Sequence, residues 1–397
     1  MKKISILFFF ITFVIGTDTF LVSPLLPTLR HTYHVSPDIS GWLVSAYALG
    51  YVCFALIAGP ISDGMDRKKI MIYGLMAFVM STFLCGLASN FWLMIVFRFI
   101  AGISASFVTP QVWASIPHLV KSENIVRSMG YATAGLSISQ VIGVPIGSYL
   151  AVSSWRIPFF SIAGAALILL FPIILMLPSI PSVRQGKKQS LVSTYSQLFV
   201  TPRATKYFIA YFLFQLGNFA SFSFIGSWFT KDFSLGVAEI GTAMFTLGVG
   251  NTIGSLFGSS VVKKLGEAKS LYVSLVVLAV LYAILPFSLN LIMAEIILTF
   301  IFLIGGFVFP VFMSTMQSLS ITARGTISAL SSATMYFGTT IGGIIGGILL
   351  SHFSGFIGVA WFTTLLYIFS LVVYRSSGLF NGTAKRIDHH KINEKTY

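Results

Sequence analysis

Apolar residues run along this chain in blocks of about 20, the length that crosses a hydrocarbon core, with short polar turns between them. That length predicts twelve membrane spans, at residues 4–26, 41–61, 70–88, 91–112, 128–152, 157–177, 206–229, 238–262, 269–288, 290–312, 325–350 and 355–375. The opening MKKISILFFFITFVIG has the two lysines, apolar run and small residues of a secretory signal. Its apolar run continues through Leu26, however, and further spans follow, so it reads as a retained first helix.

The polar positions set orientation and division. Lys2, Lys3, Arg67, Lys68, Lys69, Lys121, Arg127, Arg184, Lys187, Lys188, Arg203, Lys206, Lys263, Lys264, Lys269, Arg324 and the tail from Arg375 fall on one side of the spans. The other side has Arg30, Arg156 and Lys231. Positive residues stay in the cytoplasm, so both termini are expected there, as an even span count also requires. The longest cytoplasmic connection is rich in Pro, Gly, Ser and basic residues. It divides the chain into an N-terminal six-helix bundle (1–177), a linker (178–205), a C-terminal six-helix bundle (206–375) and a basic tail (376–397).

Shifting the sequence by 200 residues reveals an internal repeat: Gly41 falls on Gly241, Gly50 on Gly250, Asn90 on Asn290 and Pro110 on Pro310. At a shift of 199, IGVPIG (142–147) falls on IGGIIG (341–346). The expected fold is therefore all-α and integral to the membrane, twelve transmembrane helices in two pseudo-symmetric six-helix bundles. Two parallel halves that rock about a site near the midplane are an architecture of transport.

Composition narrows the function. Of 397 residues, 56% are hydrophobic and 9% charged, against about 25% charged in a soluble domain. The net charge of +14 sits in short clusters between spans, so it marks topology rather than a nucleic-acid surface. Cys53 and Cys85 lie inside apolar runs without metal spacing. The six histidines fall in loops or the tail, no paired catalytic residues stand out, and no G-x-x-x-x-G-K-[ST] signals a nucleotide. An enzyme is not expected, nor a metal or cofactor.

Three motifs carry a resemblance. The stretch GPISDGMDRKKI (59–70) resembles the loop between helices 2 and 3 of the major facilitator superfamily, with Gly59, Asp63, Arg67 and Lys68 in register. Gly64 stands where that family often has Arg, and Asp66 where it often has Gly. The resemblance implies a conformational latch in which Asp63 meets a helix N-terminus or an Arg in one state and leaves it in the other. In the fourth span, Arg98 and Gly102 match the family's R-x-x-x-G, with Ala101 in place of a common Gln. In the fifth, Gly143, Pro145 and Gly147 resemble, in shifted form, the antiporter motif of drug:proton antiporters; together with SSWRIPFF they are closest to the arabinose- and purine-efflux-like branch. Small residues at this spacing let spans 5 and 8 pack tightly, with or without an antiport role, and Pro145 allows a bend.

Asp18, Arg98 and Glu295 are the ionisable residues of clear sign within spans, and an intramembrane charge is a functional candidate by default. Asp18 lies about 12 Å below the outer end of its span and Arg98 about 10 Å below that of the fourth, a similar depth. In the family the helices that carry them line the central cavity. Desolvation favours a neutral acid and a nearby guanidinium favours a carboxylate, a competition that suits a proton site. The pair could equally be a permanent ion pair that holds helices together. Glu295, nearer its boundary, either snorkels to headgroups or is a second proton candidate. Gln111, Gln140, Gln215, Asn218, Asn251, Tyr336 and the Phe-rich seventh span are the groups available to a substrate cavity for an amphipathic molecule, although most of those Phe side chains should face lipid or core.

The combined expectation is a secondary transporter of the plasma membrane, monomeric, that exports a small organic or drug-like compound in exchange for protons, with the proton gradient as its energy source. Its partners would be that substrate, protons and the lipid bilayer, not nucleic acid. Proton symport or facilitated diffusion of a sugar- or nucleoside-type nutrient is the first alternative, and a membrane sensor or enzyme that transports nothing is the second.

Overall fold

The computed structural model describes residues 2–63, 65–121, 125–180, 202–319 and 324–379, and among them every regular element is a helix. Twelve are long: α1 (Lys2–Tyr33), α2 (Trp42–Asp63), α3 (Arg67–Leu87), α4 (Phe91–Leu119), α5 (125–153), α6 (Ile157–Met176), α7 (Pro202–Phe233), α8 (Val237–Leu265), α9 (Glu267–Ile284), α10 (Leu291–Gln317), α11 (Arg324–His352) and α12 (Ile357–Ser376). Eleven are apolar enough to cross a membrane by length and composition. The twelfth, α8, is diluted by Gly, Thr and Asn251, yet Ile240, Ala243, Met244 and Leu247 along it are buried. Most of the proposed linker and tail fall outside the described residues.

Helix ends overrun the predicted spans because hydropathy marks the edge of the apolar run, whereas backbone chemistry marks the end of the helix. α1 continues past Leu26 through Pro24 and Pro27 and stops at His34, whose φ of 52° is left-handed. α7 stops in the same way at Ser234, with φ 58°. Asn90 and Asn290 cap α4 and α10, each accepting from the backbone N–H three residues on at 2.9 Å. The two stops and the two caps are each 200 residues apart.

Packing repeats at the same interval. α2 packs on α4 and α8 on α10, while α1 packs on α5 and α7 on α11. Lipid offers helices no hydrophobic incentive to associate, so small residues that admit a neighbouring backbone set the contacts. Gly50 lies against the Phe99 carbonyl and Gly250 against the Thr299 carbonyl, where any Cβ would collide. α3 with α6 and α9 with α12 lie at the periphery, and Ile168 and Phe171 of α6 are about 70% exposed.

The two sets of six meet through α1 with α7, α2 with α11 and α5 with α8. Named contacts gather toward the face opposite the chain's ends. Ser23 Oγ donates to the Phe222 carbonyl at 2.6 Å and Ser45 Oγ to the Thr340 carbonyl at 2.7 Å. Gly41 abuts Gly343, and Tyr149 bonds Thr242 at 2.6 Å. A seam therefore closes the molecule on that face.

Candidate functional site

α1 carries Asp18 and Thr19 at mid-helix, and α4 brings Arg98 to them two turns beyond its Asn90 cap. Arg98 Nη1 donates to Asp18 Oδ2 at 2.8 Å and Nη2 to the Asp18 carbonyl at 3.4 Å. Arg98 Nε reaches the Leu43 carbonyl of α2 at 3.4 Å, and the guanidinium lies 4.5 Å over the Tyr47 ring. Both charged side chains are buried, at 1% and 0% exposure. Among the described residues, Asp18 Oδ1 has no hydrogen-bond partner. A buried carboxylate oxygen left unpaired is unfavourable by about 1–3 kcal/mol or more, because it has given up water for nothing. That oxygen retains the capacity to accept a hydrogen bond.

Next to the pair, Thr19 Oγ1 lies 2.8 Å from the Ile15 carbonyl and 3.2 Å from the Tyr47 hydroxyl. Thr19 also lines a cleft between the two sets of helices. Phe20 and Ser23 join it from α1, Val44 from α2, Phe219 and Phe222 from α7, and Met335, Tyr336 and Thr339 from α11. In this conformation the cleft holds about 20 Å³, room for roughly one water molecule. A smaller cleft of about 10 Å³ adjoins it through Phe222 and is lined by Gln140, Val144, Met244, Gly248 and Phe302. Tyr336 stacks on Tyr51 across α2 and α11, with ring centroids 3.9 Å apart.

The predicted cavity residues separate. Tyr336 and Gln140 line clefts. Gln111 is buried toward the opposite end of α4 and accepts from Arg67 Nη1 at 3.3 Å. Gln215 donates to the Tyr211 hydroxyl at 2.9 Å, and Asn251 Nδ2 reaches the Phe302 carbonyl at 3.4 Å within the α8–α10 contact. Asn218 is half-buried. Gln111 and Asn251 are thus engaged between helices and Gln215 within α7. Glu295 sits half-buried one turn past the Asn290 cap, with no ion-pair partner among the described residues and with Ile292 and Ile296 exposed beside it.

The antiporter-type run requires a correction. Gly143 and Gly147 do not face α8; their missing Cβ atoms admit Thr17 and Leu21 of α1. The glycines that meet α5 belong to α8, where Gly241 abuts Ser148 and Gly248 abuts Val141. Local geometry explains the register. Residues Ser139–Gly143 form a wide π-turn, and Pro145, just beyond it, has no N–H to offer the Val141 carbonyl.

At the latch, the Asp63 side chain and the surroundings of Gly59 lie outside what is described. Arg67 reaches Gln111, and Lys68 Nζ donates to the Ile174 carbonyl at 2.8 Å, near the end of α6. The departure from the family pattern, Asp66, is the busiest group there. It caps α3 by accepting from Lys68 N–H at 2.9 Å, and it accepts from Ser179 Oγ at 2.7 Å and Ile180 N–H at 3.0 Å. Partial burial works against its charge, but these bonds outweigh it and hold its carboxyl below the usual range. An Asp directly before a helix was the available signal. Thr19 and Tyr47 were also missed; the i, i+4 pair Tyr47 and Tyr51 in an apolar span was the clue.

A model of the Major Facilitator Superfamily matches residues 8–323 and 207–386. The chain belongs to the major facilitator superfamily. It is 50% identical over 93% of its length to an uncharacterized MFS-type transporter, YceJ, of Bacillus subtilis, covering 95% of that protein. It is 26% identical to Multidrug resistance protein 2 of the same organism, over 88% of this chain and 89% of that one. It is 27% identical to the quinolone resistance protein NorA of Staphylococcus aureus, over 88% and 90%. Among solved structures, a bacterial homolog of the lysosomal transporter Spinster in an inward-facing conformation superposes with TM-score 0.75 at 14% identity, over 96% of this chain and 95% of that one. A D-xylose-proton symporter gives TM-score 0.76 at 14% identity, over 94% and 96%. As a major facilitator protein, the chain is a multi-pass membrane transporter and not an enzyme.

Proposed function

We propose that this transporter is a proton-coupled exporter that carries a small organic compound out of the cell by alternating access, with the proton gradient across the plasma membrane as its energy source. The observation that carries this reading is a carboxylate wholly inside the bundle, bonded through one oxygen to Arg98 and unpartnered at the other, beside the cleft between the halves. In the outward-open state a proton from outside enters at Asp18 Oδ1 and neutralises the acid. Its hold on Arg98 weakens, the guanidinium shifts against Tyr47, and Thr19 carries that shift to the cleft. In the inward-open state the proton leaves, the pair re-forms and substrate loads. The basic loops support cytoplasmic termini, and with that orientation the closed seam faces outward. The relatives named for multidrug and quinolone resistance support a drug-like cargo and an exporting direction. A monomer suffices, since both halves of the cleft come from one chain.

The test is uptake into everted vesicles. Accumulation that collapses when the proton gradient is dissipated, and that Asp18→Asn abolishes while substrate exchange persists, is the expected result. Full-rate accumulation by the variant would make Asp18 structural.

A further inference from the structure

Resting on the export reading, we propose that the central cleft selects uncharged aromatic compounds bearing a hydrogen-bond donor, and discriminates against permanent cations.

The walls supply the aromatic part. Phe20 and Phe222 meet edge to face with centroids 5.9 Å apart, and Phe219 and Phe222 do so at 6.3 Å. Tyr336 adds its ring from α11. Once the halves part and the cleft widens beyond its present 20 Å³, these rings are placed to flank a flat apolar body.

The polar part is one-sided. Four hydroxyls line the cleft. Three direct their single proton to a backbone carbonyl, Thr19 to Ile15 at 2.8 Å, Ser23 to Phe222 at 2.6 Å and Thr339 to Met335 at 3.0 Å, and the fourth, the Tyr336 phenol, is hydrogen-bonded with Thr19. What remains toward the cleft is oxygen lone pairs. These hydroxyls therefore offer acceptors, and a ligand O–H or N–H is their complement. A ligand of the same shape without a donor buries those oxygens unsatisfied.

Charge completes the selection. Among the described residues, no Asp, Glu, Lys, Arg or His side chain lines the cleft. The nearest carboxylate, Asp18, is held at 2.8 Å by Arg98 and carries no net charge as a pair. If Asp18 is protonated, the site gains the positive charge of Arg98 rather than losing one. A permanent cation thus meets either a neutral or a positive surrounding and receives only ring faces in exchange for its water. Glu295 offers no remedy, since it lies on α10 beside exposed Ile292 and Ile296 and is not among the lining residues.

Three probes of one size test this: 1-naphthol (neutral, donor), 1-methoxynaphthalene (neutral, no donor) and N-methylquinolinium (permanent cation). Equilibrium binding is measured at pH 7 to the purified full chain in zwitterionic nanodiscs, with empty nanodiscs subtracted and no gradient present. Saturable binding of 1-naphthol about tenfold tighter than either of the others is expected. Thr339→Val should weaken 1-naphthol several-fold and leave 1-methoxynaphthalene unchanged. Equal or tighter binding of the cation, no saturable binding of any probe, or indifference of 1-naphthol to Thr339→Val would overturn the assignment. Because no gradient is applied, the result is independent of antiport: loss of gradient dependence in vesicles with the binding order intact would overturn the coupling alone.

Discussion

The two halves of this transporter share a scaffold but not a charge. At the 200-residue interval Asp18 corresponds to Asn218, Thr19 to Phe219, Tyr47 to Leu247 and Arg98 to Leu298. The C-terminal half nevertheless forms the same helix pairs, and Gly250 sits against Thr299 as Gly50 sits against Phe99. A six-helix unit of this design therefore closes without an ion pair between its first and fourth helices. Charge in the N-terminal half is a burden that packing does not require, which favours a role in coupling over one in holding helices together.

The sharpest way to break the comparison is Asp18→Asn, which gives α1 the residue its repeat already has. Gradient-driven transport should vanish. Stability should also fall, by about 3–5 kcal/mol, because Arg98 is left buried without its partner, a loss readable by thermal unfolding in detergent. The double variant Asp18→Asn/Arg98→Leu copies the C-terminal half at both positions. It should recover to within about 2 kcal/mol of the parent, since replacing a buried pair by apolar groups is often neutral or stabilising, yet still not pump. Pumping by the double variant would assign the proton elsewhere, with Glu295 the next carboxylate to replace.

Glycine contacts should respond alike in both halves. Gly50→Ala and Gly250→Ala each place a Cβ against a carbonyl and should each cost about 1–3 kcal/mol. A large difference between them would show that the halves are less equivalent than their packing implies.

The smallest effect belongs to Asp66, found in one half. Its folded-state carboxyl is held below the usual range, so its contribution is present above the unfolded pKa and is lost as pH falls through the folded one, in the acid range below about 4. Asp66→Gly should lower stability by less than about 1 kcal/mol, since the site is partly solvated, and should remove that acid dependence.

Twelve spans and the repeat were legible because lipid imposes a single demand, a long apolar run, that composition states directly. Asp18 and Arg98 were legible as candidates because a charge in such a run is conspicuous, and counting helical rise put them at similar depth. Thr19 and Tyr47 were not, since hydroxyls and rings are common in spans and their role depends on which face they present. The antiporter-type run showed the same limit: its spacing announced close packing but not the partner, and a π-turn before Pro145 directed Gly143 and Gly147 to α1 instead of α8.

By itself, then, the sequence determined the membrane, the number of helices, the two-fold plan and the presence of one acid and one guanidinium where neither is at ease. Tertiary structure decided that the two bond at 2.8 Å, that one oxygen of Asp18 stays unpartnered, and that the cleft beside them presents rings and lone pairs without charge. The reason is physical. Hydropathy and rise act along one chain and can be read in order, whereas a partner across helices depends on rotation about each helix axis, which is fixed only when all the faces pack at once.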